Sequence, residues 1–338
     1  MEVVGASQGM EMKRKWISLI AGLLFVALVF FLGVSLPKEV QPKKTTEVAN
    51  SHGFTLPAKS TLWESVLQAH SLLSHQSLDT SGFGNLDLAF QENRPQSAAE
   101  FKALLFDSLG LQFDPQKNQF TSINPFSALR NKKGTCMGTS TLALFLAEKH
   151  NLPLKGVSLP GHFFLRWETG SESVNLEPNR GGYSYTNEEY LAKYNVQDSS
   201  LWKMNSLSPL ESFAYYLYTI GTAFYHQGLF VEARSWLENA VEREPNLVEA
   251  RGNLALSLRK LGYIQRGVDE LEKANQIAPG DLKIIRYLAR FYYEAKRHKE
   301  AFALCKKLES LNALTLEDRA LQKKLATKVN SGGLLFFD

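Results

Sequence analysis

Cysteine is scarce in this chain: there are two in 338 residues, Cys136 and Cys305. They fall in segments of different pattern, so a disulfide framework is excluded and both are expected as free thiols. Metal-ligand spacing is missing too. His52, His70, His75, His150, His226 and His298 are scattered without the short repeats that close a coordination sphere, and no Gly-rich phosphate loop occurs. Neither a metal nor a cofactor is therefore expected. The net charge is only +4, and no Lys/Arg stripe interleaved with aromatics is present, which argues against a nucleic-acid partner. Fractions of 44% hydrophobic and 21% charged residues belong to folded, globular protein. The length suits two folded units plus an anchor.

One stretch lacks charge altogether. Trp16 to Leu36, 21 residues, makes about 31 Å of helix, enough to cross a bilayer. Lys13-Arg14-Lys15 before it predicts a cytoplasmic lead over 1–15, an anchor over 16–36 and the bulk of the chain across the membrane. The competing reading is a cleaved signal peptide, with Gly33 and Ser35 as small residues near a cut. The run is long for such a segment and lacks an Ala-x-Ala site, so an uncleaved anchor is expected. Residues 37–55 read as a polar tether.

The stretch from Gly134 to Glu177 concentrates the chemistry. Met137 to Ala147 carries no charge and is apolar on every side, the pattern of a helix buried all round. Cys136 then sits in its first turn, a position that suits a nucleophilic sulfur. Phe163, Leu165 and Trp167 alternate with His162, Phe164 and Arg166; after a loop over Glu168 to Glu172, Val174 and Leu176 alternate with Asn175 and Glu177. The spacing predicts a hairpin pairing Phe163 with Leu176 and Leu165 with Val174, which sets His162 opposite Glu177 and Phe164 opposite Asn175. A carboxylate that orients an imidazole, and an imidazole that takes a thiol proton, make Cys136, His162 and Glu177 a candidate catalytic triad.

Three motifs carry a resemblance: the Gly134-Thr135-Cys136 helix start, the run from Leu152 through Pro160-Gly161-His162-Phe163 to Arg166, and Asn175-Leu176-Glu177-Pro178 followed by Gly181-Gly182. Over roughly residues 60 to 205 the chain resembles the transglutaminase-like cysteine superfamily, in its SirB-type bacterial branch. The resemblance implies an α+β papain/transglutaminase-like domain, placed at 56–207, with Cys136, His162 and an acid in catalytic roles. The superfamily usually has aspartate where this chain has Glu177. Either the longer arm orients His162, or Asn175 does so as an amide. Thr135 and the N–H groups of the helix start are candidate oxyanion donors. Trp63, Asn131, Phe164 and Arg166 are candidates to line the substrate cleft, with Arg166 able to clamp a carboxylate or to pair with Glu177.

Helices are expected from Thr61 to Leu73, from Ala98 to Leu109 behind Ser97, and as a short turn over Asn124 to Arg130. After Ser208, Gly221, Phe224, Gly228, Phe230, Ala233, Leu237, Ala240 and Pro245 recur 34 residues later as Ala255, Leu258, Gly262, Ile264, Gly267, Leu271, Ala274 and Pro279. Ala289, Tyr292, Ala301 and Cys305 form a weaker third copy. The period is similar to tetratricopeptide (TPR) repeats and predicts an all-α solenoid over 208–312 that presents a groove to a protein or peptide partner, with Cys305 as a packing residue. Residues 313–338 are expected as a tail ending in an apolar tag. Two functions follow. One is a membrane-anchored cysteine hydrolase or acyltransferase acting on peptide or side-chain amides, on the periplasmic side of a bacterial inner membrane. The other is a non-catalytic scaffold whose shell and repeats bind a client.

Overall fold

The computed structural model describes residues 61–74, 79–115, 119–194, 196 and 204–331. The expected lead, anchor, tether and apolar tag lie outside the described residues. Among the described residues, no helix is long and apolar enough to cross a membrane.

Thr61 opens α1 (Leu62–Ser74) through a capping box: its Oγ1 accepts from Glu64 N at 3.1 Å, and Glu64 Oε2 accepts from Thr61 N at 3.2 Å. After α2 (Phe83–Asn93), Ser97 caps α3 (Ala98–Lys102), which widens into a π turn over Ala103–Asp107. The expected helix from Ala98 to Leu109 is thus two segments. The extra residue in the π turn rotates the buried stripe, bringing Phe106 into the core and leaving Leu104 only partly covered.

β1 (Gln112–Phe113), α4 (Phe120–Ile123), α5 (Pro125–Asn131) and β2 (Lys133–Gly134) lead into α6 (Cys136–His150). Asn124 caps α5, its Oδ1 accepting from Phe126 N and Ser127 N. β2 pairs parallel with β1. In α6 every residue from Met137 to Ala147 is buried, as the charge-free run predicts. Trp63, Phe83, Phe126 and Phe145 pack on one side of it, ring centroids 4.5 to 6.4 Å apart. Burial of each such ring contributes about 2–3 kcal/mol.

The other side of α6 meets a sheet of β3 (Leu154–Leu159), β4 (His162–Glu168) and β5 (Ser173–Leu176), antiparallel in that order. β3 was not expected as a strand; it joins β4 through the two-residue turn Pro160-Gly161, with Gly161 at φ +70°. The β4–β5 register differs from the expected one by two residues. Leu165 faces Leu176 and Arg166 faces Asn175, because Glu168 still belongs to β4 and the turn is the tighter Thr169–Glu172, closed by a 2.8 Å N–H···O bond. A shift of two keeps every side chain on its face. Nor is the second face open: α7 (Asn187–Lys193), with a capping box at Thr186, lays Tyr190 on Phe164 at 4.0 Å between centroids.

Three helix pairs follow: α8 (Ser212–His226) with α9 (Phe230–Arg243), α10 (Val248–Lys260) with α11 (Ile264–Ile277), and α12 (Leu282–Glu294) with α13 (His298–Ser310). Small residues admit the close approaches: a Cβ on Gly221 would lie 2.7 Å from Leu237, and one on Gly267 would lie 2.5 Å from Phe291. Cys305 is buried with Ala289, Ala301 and Leu325. The expected tail over 313–338 is instead largely helix, α14 (Leu316–Ser331). Thr315 and Asp318 cap it reciprocally, Arg286 pairs with Asp318 at 3.0 Å, and Leu325 covers Cys305. It closes the open end of the array, the usual role of a terminal helix in a solenoid. Its few apolar residues hid it in the sequence.

The first repeat is not a separate body. Phe213, Tyr216, Leu217 and Trp236 belong to the same core cluster as Phe145, Phe163 and Trp167. At that junction His70 of α1 hydrogen-bonds the Tyr216 hydroxyl. Burial pushes the His70 imidazole down to about 4. The unfolded chain therefore binds a proton that the folded one refuses between about pH 6.5 and 4, and stability falls as pH drops through that window. The expected loss is about 3 kcal/mol in wild type, and it should be absent from His70→Gln. Urea midpoints at pH 7 and about pH 4.5 check this; equal pH sensitivity of both chains would contradict it.

Candidate active site

Four local features converge to place Cys136. Lys132, in the left-handed region at φ 53°, turns the chain out of α5 into β2. Gly134 lets β2 press on Ala128, where a Cβ would come within 2.6 Å. Thr135 then caps α6, its Oγ1 accepting from Gly138 N at 3.1 Å while its own N–H donates to Ser122 O at 2.9 Å. Cys136 follows as the first helical residue and is partly exposed. The first N–H groups of a helix have no partner inside it, and the Cys136 N–H is one of these, beside its own sulfur. Thr135 lines the same groove, but with its backbone N–H already used.

His162 heads β4. Its ring is 2% exposed, and its Nε2–H donates to Glu177 Oε2 at 2.8 Å. The Cys136 thiol hydrogen-bonds the same ring. With Nε2 turned to Glu177, Nδ1 is the nitrogen that faces sulfur. Burial alone would lower the His162 pKa, but the hydrogen bonds and charges of Cys136 and Glu177 outweigh it and raise it to about 9. Glu177 is wholly buried. Burial opposes its charge, yet the bond and charge of His162, the Asn179 N–H and Lys193 hold it below the usual carboxylate range. Its second oxygen, Oε1, accepts from Asn179 N at 2.9 Å. Gly181 and Gly182, both at positive φ, turn the chain so that Gly182 N donates to Glu177 O. The pair of glycines makes a tight turn, and the acid is fixed on both sides.

The other expected site residues are elsewhere. Asn175 does not orient His162: its Oδ1 accepts from Arg166 Nε at 2.8 Å, and its Nδ2 donates to Tyr185 O and Asn187 Oδ1. Arg166 neither clamps a ligand nor pairs with Glu177; it is buried, also donating to Met204 O. Phe164 is wholly buried under Tyr190. Trp63 is committed to the aromatic cluster on the far side of α6. Asn131 is exposed at the end of α5 and outside the groove. Of these five, Phe164, Arg166 and Asn175 were read as sharing a strand face with His162, and that face is closed by α7.

Tyr194 was missed. Its ring lies flat on His162, centroids 4.3 Å apart and planes 10° apart, covering the imidazole from solvent. Tyr190 and Tyr194 are four apart at the end of a well-capped helix, a spacing that marks one shared face. Also missed was the groove itself, about 390 Å³, a size suited to ligands. Cys136, Met137, His162 and Phe163 form one end; the inner helices of the repeats form the rest. Tyr215, Tyr218, Thr222 and Tyr225 of α8 recur at steps of three and four, a stripe legible in the sequence. Among the described residues, no group of His, Cys, Asp or Glu is placed to hold a metal ion.

The family model described as Transglutaminase-like superfamily matches residues 62–212. No curated protein matches the chain. Among solved structures, the first TPR of Spaghetti (RPAP3) bound to an HSP90 peptide is 15% identical, with 35% of this chain and 93% of that one covered and a TM-score of 0.33. The TPR domain of Arabidopsis OM64 is 19% identical, covering 34% of this chain and 95% of that one, TM-score 0.33. The type III secretion translocator chaperone SycD of Yersinia enterocolitica is 12% identical over 42% of this chain and 96% of that one, TM-score 0.29. The match to the transglutaminase-like family model thus spans the stretch that carries Cys136, His162 and Glu177, and the helix pairs follow it.

Proposed function

We propose that this chain is a cysteine hydrolase or acyltransferase of the transglutaminase-like kind, acting on peptide or side-chain amide bonds, with its repeats recruiting a protein partner. The observation that carries the reading is the His162 ring held between the Cys136 thiol and the buried Glu177 carboxylate, at the end of an open groove. In this reading Cys136 Sγ attacks the amide carbonyl carbon, and the thiol proton goes to His162 Nδ1. The oxyanion forms beside the Cys136 N–H. The C–N bond then breaks as His162 returns the proton to the departing amine, leaving a thioester on Cys136. Water or a second amine attacks the thioester, and the thiol is restored. The charge-free run Trp16 to Leu36 and the basic residues before it support a single-pass anchor in a bacterial inner membrane, with the catalytic half on the periplasmic side.

The test is alkylation by iodoacetamide followed by intact mass. At about pH 6 an unassisted thiol, with its midpoint near 8.5, scarcely reacts. Cys136 is expected to react at least about tenfold faster than free cysteine there, and His162→Ala to remove the advantage. Reaction at the rate of free cysteine, unchanged by His162→Ala, would leave a binding shell without chemistry.

A further inference from the structure

The groove beside Cys136 has a charge pattern of its own. Each inner helix gives one face to it: Tyr215, Tyr218 and Thr222 from α8, Glu249 and Asn253 from α10, Lys283 and Tyr287 from α12. The helices are stitched together across the floor, Asn253 Nδ2 donating to Thr222 Oγ1 at 2.9 Å. Beyond Cys136 and His162, the ionisable residues other than tyrosine in the lining are His226, Glu249 and Lys283. His226 and Lys283 are exposed at the rim, whereas Glu249 is partly buried in the wall.

Among the described residues, no lysine or arginine lies within ion-pairing distance of Glu249; Lys283 leans on the Tyr287 ring, 5.7 Å from its centroid. Burial and the neighbouring Asp281 push the Glu249 carboxyl up to about 7, against the pull of its own N–H and of Lys283. Its charge is felt by Tyr215 and Tyr218, whose hydroxyls are pushed up by burial and then by Glu249. A desolvated carboxylate flanked by tyrosine rings suits a cation. The carboxylate supplies charge, the ring faces attract it, and the partial burial of Glu249 weakens competition from water.

We propose that the groove takes an extended polypeptide segment carrying a lysine or arginine, whose cation pairs with Glu249 between Tyr215 and Tyr218 while a neighbouring part of the same segment lies at Cys136. The proposal rests on the reading of Cys136 as the reactive centre and adds a substrate class to it: a basic polypeptide, recognised by the first two repeats.

The experiment uses the full chain and short acetylated alanine peptides ending in a methanethiosulfonate, with lysine, norleucine or glutamate walked through successive positions. A thiosulfonate reacts with any accessible thiol, so the readout persists even if Cys136 is no catalyst; that separate failure is read by the iodoacetamide profile. At one position the lysine probe is expected to label Cys136 about tenfold faster than its norleucine counterpart, with glutamate slowest. Glu249→Gln should erase the lysine preference, with far-UV circular dichroism showing that the variant is folded. Lysine and norleucine rates within twofold at every position would overturn the proposal, as would a lysine preference that survives Glu249→Gln.

Discussion

Glu177→Gln is expected to slow alkylation of Cys136 at about pH 6 on the order of a hundredfold. The reason lies in counting donors. Both groups that meet the Glu177 carboxylate donate to it: His162 Nε2–H to Oε2 and Asn179 N–H to Oε1. A carboxylate accepts at both oxygens, but an amide accepts at one and donates at the other. Whichever way the glutamine turns, one buried donor faces another, at a cost of about 1–3 kcal/mol. If the amide nitrogen faces His162, the ring must also present a bare Nε2 and lose its cationic form. The pH dependence has a definite sign. Glu177 is held below about 4.5, so its stabilisation is lost as pH falls; His162 is raised to about 9, so its stabilisation is lost as pH rises from about 6.5 through 9. Wild type should therefore gain most over Glu177→Gln between about pH 4.5 and 6.5, read as the difference in urea midpoints. A rate within twofold of wild type would show that His162 needs no orienting carboxylate.

The second large effect comes from one methyl group. A Cβ on Gly138 would sit 2.6 Å from Ser122 O and 2.9 Å from Ile123 O. Both are backbone atoms, and Ser122 O already accepts from Thr135 N, so neither can rotate aside. Gly138→Ala must lift the first turn of α6 away from α4. The expected cost is about 3 kcal/mol, with a melting temperature lower by roughly 10 °C. The rapid alkylation of Cys136 should be lost as well, since the sulfur moves with the turn. Gly84→Ala is the control, because nothing lies within 4 Å of a Cβ there; it should melt no lower than wild type. Equal melting of the two variants would refute the close approach.

The sequence carried α6 clearly because eleven residues without charge, Met137 to Ala147, leave one physical solution, and the structure buries all of them. The helix starts at Thr61 and Ser97 were legible because a side-chain oxygen before an apolar run is a local signal. The 34-residue spacing survived for a similar reason, as each small residue meets its own neighbour. What failed depends on distant partners. No pattern within β4 says that α7 covers its second face, so Phe164 and Arg166 were assigned to a cleft. The hairpin register turned on whether Glu168 belongs to the strand or the loop, which alternation alone does not decide. Asn175 looked available until Arg166, Tyr185 and Asn187 were seen to engage it.

Phe213, Tyr216 and Leu217 on α8 pack into the same interior as Phe145 and Trp167, while Tyr215 and Tyr218 of that helix face the groove. One helix is therefore both a wall of the half that holds Cys136 and the first rung of the repeats. A guest gripped along the inner helices would meet the sulfur at a set number of residues from its anchor point, as on a gauge. Selection would then fall on the spacing between a basic side chain and the bond attacked, and a chain cut at Ser212 would lose the gauge and part of its own interior together.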